Sequence, residues 1–542
     1  MTIGSTYHTF DEGHESLATA EAATNAFGSL HLAKRKSQIF WNTVNRQLSV
    51  AFGVDDDTSD DGEDEGGWLL EGMVLQPRRG TVEKVIGGYW RRMAMLKIVP
   101  VAIVIAWCAI PLPTYPNPAL DPDIPDPITN RTGSSESNFL LIPKEGEPKV
   151  LINFWFFLFV YYGFYNAIGL LWVTKLYHLY ALNWWPSRLG GATSYTLLWC
   201  ISIAGGAVIY LLSGLERFLL TWILLTFATM STPMIFSFSI LRSNRRHSWH
   251  SWRSSLDNAS NVFFERVRYV PESWRRFLWF SGALGLGLVA LVAGEAYTYI
   301  YMSTLPHSAA DALVYVYTWV ATVHLLDLTT CWILGEGRVN SYSLTTAFKF
   351  YYAMTLNTYL RNLYARLRSP QQFALLQAAS STSIIVVAPL TMTTYAWRVV
   401  GWMSGLVGGG EREGYEEWKK KVGRGVYIQT LAKDVTMMAF LGWVAVLHFG
   451  PNRDAYPYFG FEDKSDPYTY RLTTIASSVV WISEIVSAYI ARRIIHRQFG
   501  FSITKEAVKD FKEHPDLVPS LQAVAVHVLQ NMLFSLLTLA FA

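Results

Sequence analysis

Apolar runs of about twenty residues recur along this chain, separated by polar or proline-rich stretches. A helix rises about 1.5 Å per residue, so such a run crosses a bilayer core of about 30 Å. Spans are predicted on this basis at 96–112, 150–174, 192–213, 217–240, 277–302, 309–334, 429–449, 470–491 and 518–541. The fold class is all-α, a polytopic integral membrane protein.

Residues 341–400 break the pattern. The stretch 341–360 contains Lys349 and several polar residues, and it leads into Arg361, Arg366 and Arg368. Arginines flanking a span belong on the cytoplasmic side. The segment 342–368 is therefore expected to be an amphipathic helix on the cytoplasmic surface. The next run, 371–398, is interrupted by Pro389 and reads as a re-entrant hairpin turning near Ala388 and Pro389. This gives nine spans plus a hairpin, with eleven plain spans as the alternative. Beyond it, 399–425 contains EREGYEEWKKK, in which Glu416 and Glu417 can pair with Lys420 and Lys421 at helical spacing. A cytoplasmic helix is expected there, and a soluble segment at 504–517.

Charge sets the direction. Residues 242–276 carry eight arginines, no lysine and three acids between two apolar runs. Translocating such a loop is costly, so it stays in the cytoplasm. The remaining spans then follow, with the N-terminus cytoplasmic and the C-terminus lumenal or extracellular. The loop 113–149 falls outside; it is acidic and holds the glycosylation sequon at Asn130. Four regions result: a tail at 1–95, a first helix group at 96–241, the arginine loop at 242–276 and a second helix group at 277–541. The tail contains eight acids in the eleven residues 55–65, a run that self-repulsion keeps extended.

Composition agrees with a membrane-embedded body: 51% of the 542 residues are hydrophobic and only 16% are charged. The three cysteines, Cys108, Cys200 and Cys331, all fall in predicted spans and supply neither a disulfide framework nor a cysteine-based zinc motif. The expected setting is a eukaryotic endomembrane or the plasma membrane.

Ionisable residues inside spans are costly and mark candidate sites. His324, Asp327, Glu484 and His527 fall near one depth, with Glu295 nearer the outer side. A polar midplane site built from them can carry protons, since histidine titrates near neutrality and a buried carboxylate shifts toward it. The competing reading makes each a structural hydrogen-bonding residue. In the arginine loop, Arg245, Arg246, Trp249, Trp252 and Arg253 suit anionic lipid headgroups. No nucleic-acid-binding motif accompanies them. No phosphate-binding loop, nucleophile elbow or zinc-protease motif occurs, and neither a metal nor a cofactor is implied. The expected function is a transporter or channel-like protein moving a small solute, ion or lipid. A non-catalytic membrane organiser acting through its tail and arginine loop is the second class, and a membrane-embedded transferase using His324 the third.

Overall fold

In the computed structural model, the described residues are 79–117, 150–179, 192–235, 272–303, 309–365, 377–406, 414–461 and 469–541, apart from 213, 217, 219, 336, 337, 340 and 379. The acidic run, the sequon at Asn130 and the lipid-headgroup candidates Arg245, Arg246, Trp249, Trp252 and Arg253 all lie outside them.

Helices account for nearly everything described. They are α1 Arg79–Gly87, α2 Tyr89–Ala109, α3 Phe154–Tyr177, α4 Ala192–Leu212, α5 Leu220–Ile235, α6 Glu272–Ser303 and α7 Ala309–Leu334. There follow α8 Tyr342–Ala365, α9 Ser380–Thr391, α10 Thr394–Leu406, α11 Tyr415–Phe449, α12 Tyr470–Phe499, α13 Ile503–Glu513 and α14 Leu517–Ser535. Six of them (α2, α3, α6, α11, α12 and α14) are long and apolar enough to cross a membrane, and a seventh crossing is reached if the bent pair α9–α10 counts as one. The only sheet among the described residues is a short antiparallel ribbon, β1 Thr114–Pro116 on β2 Val150–Ile152, with Tyr115 opposite Leu151. It forms where Pro111 and Pro113 stop α2 from continuing.

From Val82 onward the chain forms one compact unit. Two helices lie at its centre. α14 is buried over almost its whole length and packs on α2, α3 and α8. α8 packs on α6, α7, α11 and α14. Every residue from Tyr351 to Tyr359 is buried, and at 3.6 residues per turn this run covers the whole circumference of the helix. A helix enclosed on this many sides is not an amphipathic surface helix, so the expectation for 342–368 is corrected. Tyr352, Tyr359 and Arg361 are paired inside the bundle, and such polar residues hide the apolar signature of a span.

The turn expected near Ala388 and Pro389 lies elsewhere, while the bent pair α9–α10 fits either a re-entrant hairpin or a broken span. Helix continues through Ala388 and Pro389, because a π-helical turn at Ser383–Val387 precedes them and its bonding no longer requires the proline N–H. The break comes later, at Met392 and Thr393, where the axis turns by 78°. Tyr415 Oη and Trp418 Nε1 each donate, at 3.0 Å, to the exposed carbonyls of Met392 and Thr391. α10 then leaves with Tyr395, Val399, Val400 and Trp402 exposed. α11 is also longer than the expected span, because Tyr415–Lys421 already belong to it and the helix runs on without a break. α12 likewise runs on to Phe499 and stops at Gly500, whose φ of +63° suits glycine.

Contacts sort the helix termini into two ends. At one, Tyr342 Oη and Arg424 both donate to Asp510, Arg276 donates to the Val339 carbonyl, and Lys512 pairs with Glu83. At the other, the ribbon meets the chain after α14 through Ile152 N–H to Ala540 O, 2.7 Å, and Thr538 N–H donates to Ala455 O. There Asn452 closes the end of α2, donating to Cys108 O and Ile110 O and accepting from Leu112 N–H. The first end carries Arg91, Arg92, Arg275, Arg276, Arg492, Arg493 and Arg497, and is strongly basic.

Candidate functional site

Tyr359 and Arg361 lie two positions apart on α8. At 3.6 residues per turn they leave the axis about 200° apart, toward opposite sides. Each is the entry to a buried polar centre.

On the Tyr359 side, Glu295 of α6 is buried. Its Oε1 accepts from Tyr359 Oη at 2.7 Å and from Asn531 Nδ2 of α14 at 2.8 Å. Tyr165 Oη of α3 donates to Asn531 Oδ1, so four helices meet through one chain of hydrogen bonds. Gly294 makes room for this: a Cβ there would lie 2.5 Å from the Tyr359 ring. Among the described residues no cation pairs with Glu295, and its carboxyl is held by neutral donors alone. One turn before Asn531, His527 is fully buried and stacked between Tyr165 and Trp172, with ring centroids at 5.4 and 5.3 Å. Among the described residues neither of its ring nitrogens has a hydrogen-bond partner, and the same holds for both side-chain polar atoms of Gln530.

On the Arg361 side, Arg361 Nη2 donates to Glu484 Oε2 of α12. Lys433 Nζ of α11 lies 3.6 Å from Glu484 Oε1 and donates to Ser380 Oγ of α9 at 3.1 Å. Beside them Gln377 donates to Ser483, whose hydroxyl is 3.1 Å from that of Ser381. The neighbouring Asp434 turns to a different partner, Lys97 of α2, at 2.5 Å.

The family model described as SPCC553.12c matches residues 78–537 of this chain. The chain belongs to the SPCC553.12c family. A fission yeast (Schizosaccharomyces pombe) relative, named "Uncharacterized protein C553.12c", is 39% identical over 481 residues, covering 88% of this chain and 85% of its own. No solved structure matches. Both polar centres of this SPCC553.12c family member fall inside the matched stretch.

The four residues expected at one depth, and Glu295 nearer the outer side, do not form one site. Glu295 belongs to the first centre, with His527 one turn away from Asn531. Glu484 anchors the second. His324 is exposed on the outer face of α7 and touches neither centre. Asp327 is half-buried, its carboxylate 3.5 Å from Cys331 Sγ. Depth along a helix does not fix which way a side chain points, and α7 is apolar on all sides, so nothing in its pattern names the inward face.

Sequence reasoning missed Arg361, Lys433, Tyr359 and Asn531. The signal for Lys433 was present, as a lysine–aspartate pair set inside an apolar run, but the cytoplasmic helix was expected to reach almost to it. At the basic end, before α14, burial pushes the Asp516 carboxyl above its ordinary range, with Lys175 and His514 opposing the shift. No group of three or more His, Cys, Asp or Glu among the described residues is placed to hold a metal ion.

Proposed function

We propose that this protein is a secondary transporter or channel-like protein that moves a small solute, ion or lipid, with Glu295 as its protonatable group. One observation carries the reading: a carboxylate buried among membrane-type helices, held by neutral donors and, among the described residues, without a cationic partner. A carboxylate kept this way takes up a proton without breaking an ion pair, and its neutral donors offset part of the cost of releasing it. His527 and Gln530, with buried and unpartnered polar atoms in the same region, are the natural continuation of a proton path. The proposed topology has eleven crossings, α2 to α9, α11, α12 and α14, with the basic end in the cytoplasm and the ribbon end outside.

The test is reconstitution of the full chain in liposomes holding a pH-sensitive dye, challenged with amino acids, sugars, organic acids and metal cations in turn. One class should drive proton movement, and Glu295→Gln should abolish it without loss of folded protein. Absence of solute-driven proton movement from every class would sink the reading and favour the organiser, which is tested by deleting residues 1–80. Orientation is checked separately in a background lacking the three cysteines. An impermeant thiol reagent should label Tyr115→Cys in sealed right-side-out vesicles, and Lys505→Cys only after permeabilisation.

A further inference from the structure

Among the described residues the second centre contains more positive charge than it balances. Arg361 and Lys433 share one carboxylate, Glu484, while the nearby Asp434 is already engaged with Lys97. The side chains of Arg361 and Glu484 are 4% and 5% exposed and that of Lys433 is 16% exposed, so water screens them little. Among the described residues Arg361 Nε is buried without an acceptor. The lining next to the excess charge is made of hydroxyl and amide groups: Ser380, Ser381, Ser483 and Gln377. A buried cation without a counter-charge is strongly unfavourable, and a planar guanidinium with an unused donor suits an oxyanion.

We propose that Arg361 and Lys433 form a binding site for a small oxyanion, a carboxylate or phosphate group, steadied by the hydroxyls of Ser380, Ser381 and Ser483. Glu484 holds the two cations in position and competes with the anion for them. The site lies on the opposite side of α8 from Glu295, and it stands whether or not the protein transports anything.

Such an oxyanion has two sources, a free solute or a phospholipid headgroup. The full chain in neutral detergent is titrated with inorganic phosphate and with succinate, against chloride at equal ionic strength, and thermal unfolding is followed. In parallel it is placed in nanodiscs of phosphatidylcholine with and without phosphatidic acid. Saturable stabilisation by a soluble anion identifies a solute site, and stabilisation confined to phosphatidic acid identifies a headgroup site. Lys433→Gln should weaken the anion effect by about tenfold or more, the loss of one charge-assisted contact. Glu484→Gln should move the other way, unfolding earlier without the anion but binding it more tightly than the unsubstituted chain. The opposite signs keep the result readable even where Arg361 variants do not fold. Equal behaviour in phosphate, succinate and chloride, together with no response to phosphatidic acid, would overturn the proposal. So would a Lys433→Met chain that is more stable than the original in every buffer, because Lys433 would then be a buried amine with no anion to bind.

Discussion

The two sides of α8 solve the same problem differently. Around Tyr359 a single carboxylate is satisfied by neutral donors from two residues, Tyr359 and Asn531, with Tyr165 donating to Asn531 in turn. Around Arg361 three charged groups meet, and their hydrogen-bonding capacity is left partly unused. Both are buried to a similar degree, so burial alone does not separate a structural network from a site with work to do. Charge balance does. In this molecule the first centre joins four helices with one protonatable group at its heart, whereas the second holds two cations against one carboxylate.

The sharpest way to break this contrast is Glu484→Ala. It strands two cations at once, and removing one partner of a buried pair costs about 3–5 kcal/mol, so thermal unfolding of the detergent-purified chain should fall steeply. Arg361→Ala should cost less, because Lys433 and Glu484 remain as a neutral pair. If Arg361→Ala proves the more damaging of the two, the second centre is not cation-rich in the way described.

A smaller effect, about 1–3 kcal/mol, is expected for Gly294→Ala, since the new methyl forces the Tyr359 ring away and strains its bond to Glu295. Unchanged unfolding would mean that the ring moves freely and the joint is loose. Glu295→Gln should change stability by less than about 1 kcal/mol, because its amide oxygen still accepts from Tyr359 and Asn531, yet proton-coupled flux should disappear. The smallest effect is His324→Ala. An exposed side chain on the outer face of α7 should shift stability by no more than about 0.5 kcal/mol.

How much of this was legible in the sequence depends on the question asked. The membrane class was legible, because twenty-residue apolar runs have few other uses. Glu484 and Glu295 were legible as buried carboxylates in apolar surroundings. α8 was not, and the reason is instructive. Its arginine was weighed as a topological signal, while in the fold Arg361 is neutralised by a carboxylate 123 positions further along the chain. A rule that counts charges by position alone has no access to such pairing. Tyr165, Tyr359 and Asn531 were invisible for a plainer reason: in spans this rich in aromatic residues, a neutral hydrogen-bonding side chain looks like any other. The break at Met392 and Thr393 was misplaced because the proline drew the expected turn to itself, and the π-helical turn that accommodates it leaves no mark in the residue pattern.

The burial of α14 has a consequence for how the molecule is made. This helix leaves the ribosome after every other helix described, yet it lies at the centre of them all. Until it arrives, Tyr165 and Glu295 have no Asn531 to join them, and the groove between α3 and α8 stands open. The earlier helices can enter the membrane one by one, but they cannot close around anything before synthesis has passed Ser535. The nascent chain therefore spends that interval without the Asn531 contacts that join Tyr165 and Glu295. A chain cut short before Leu517 would stay in that state.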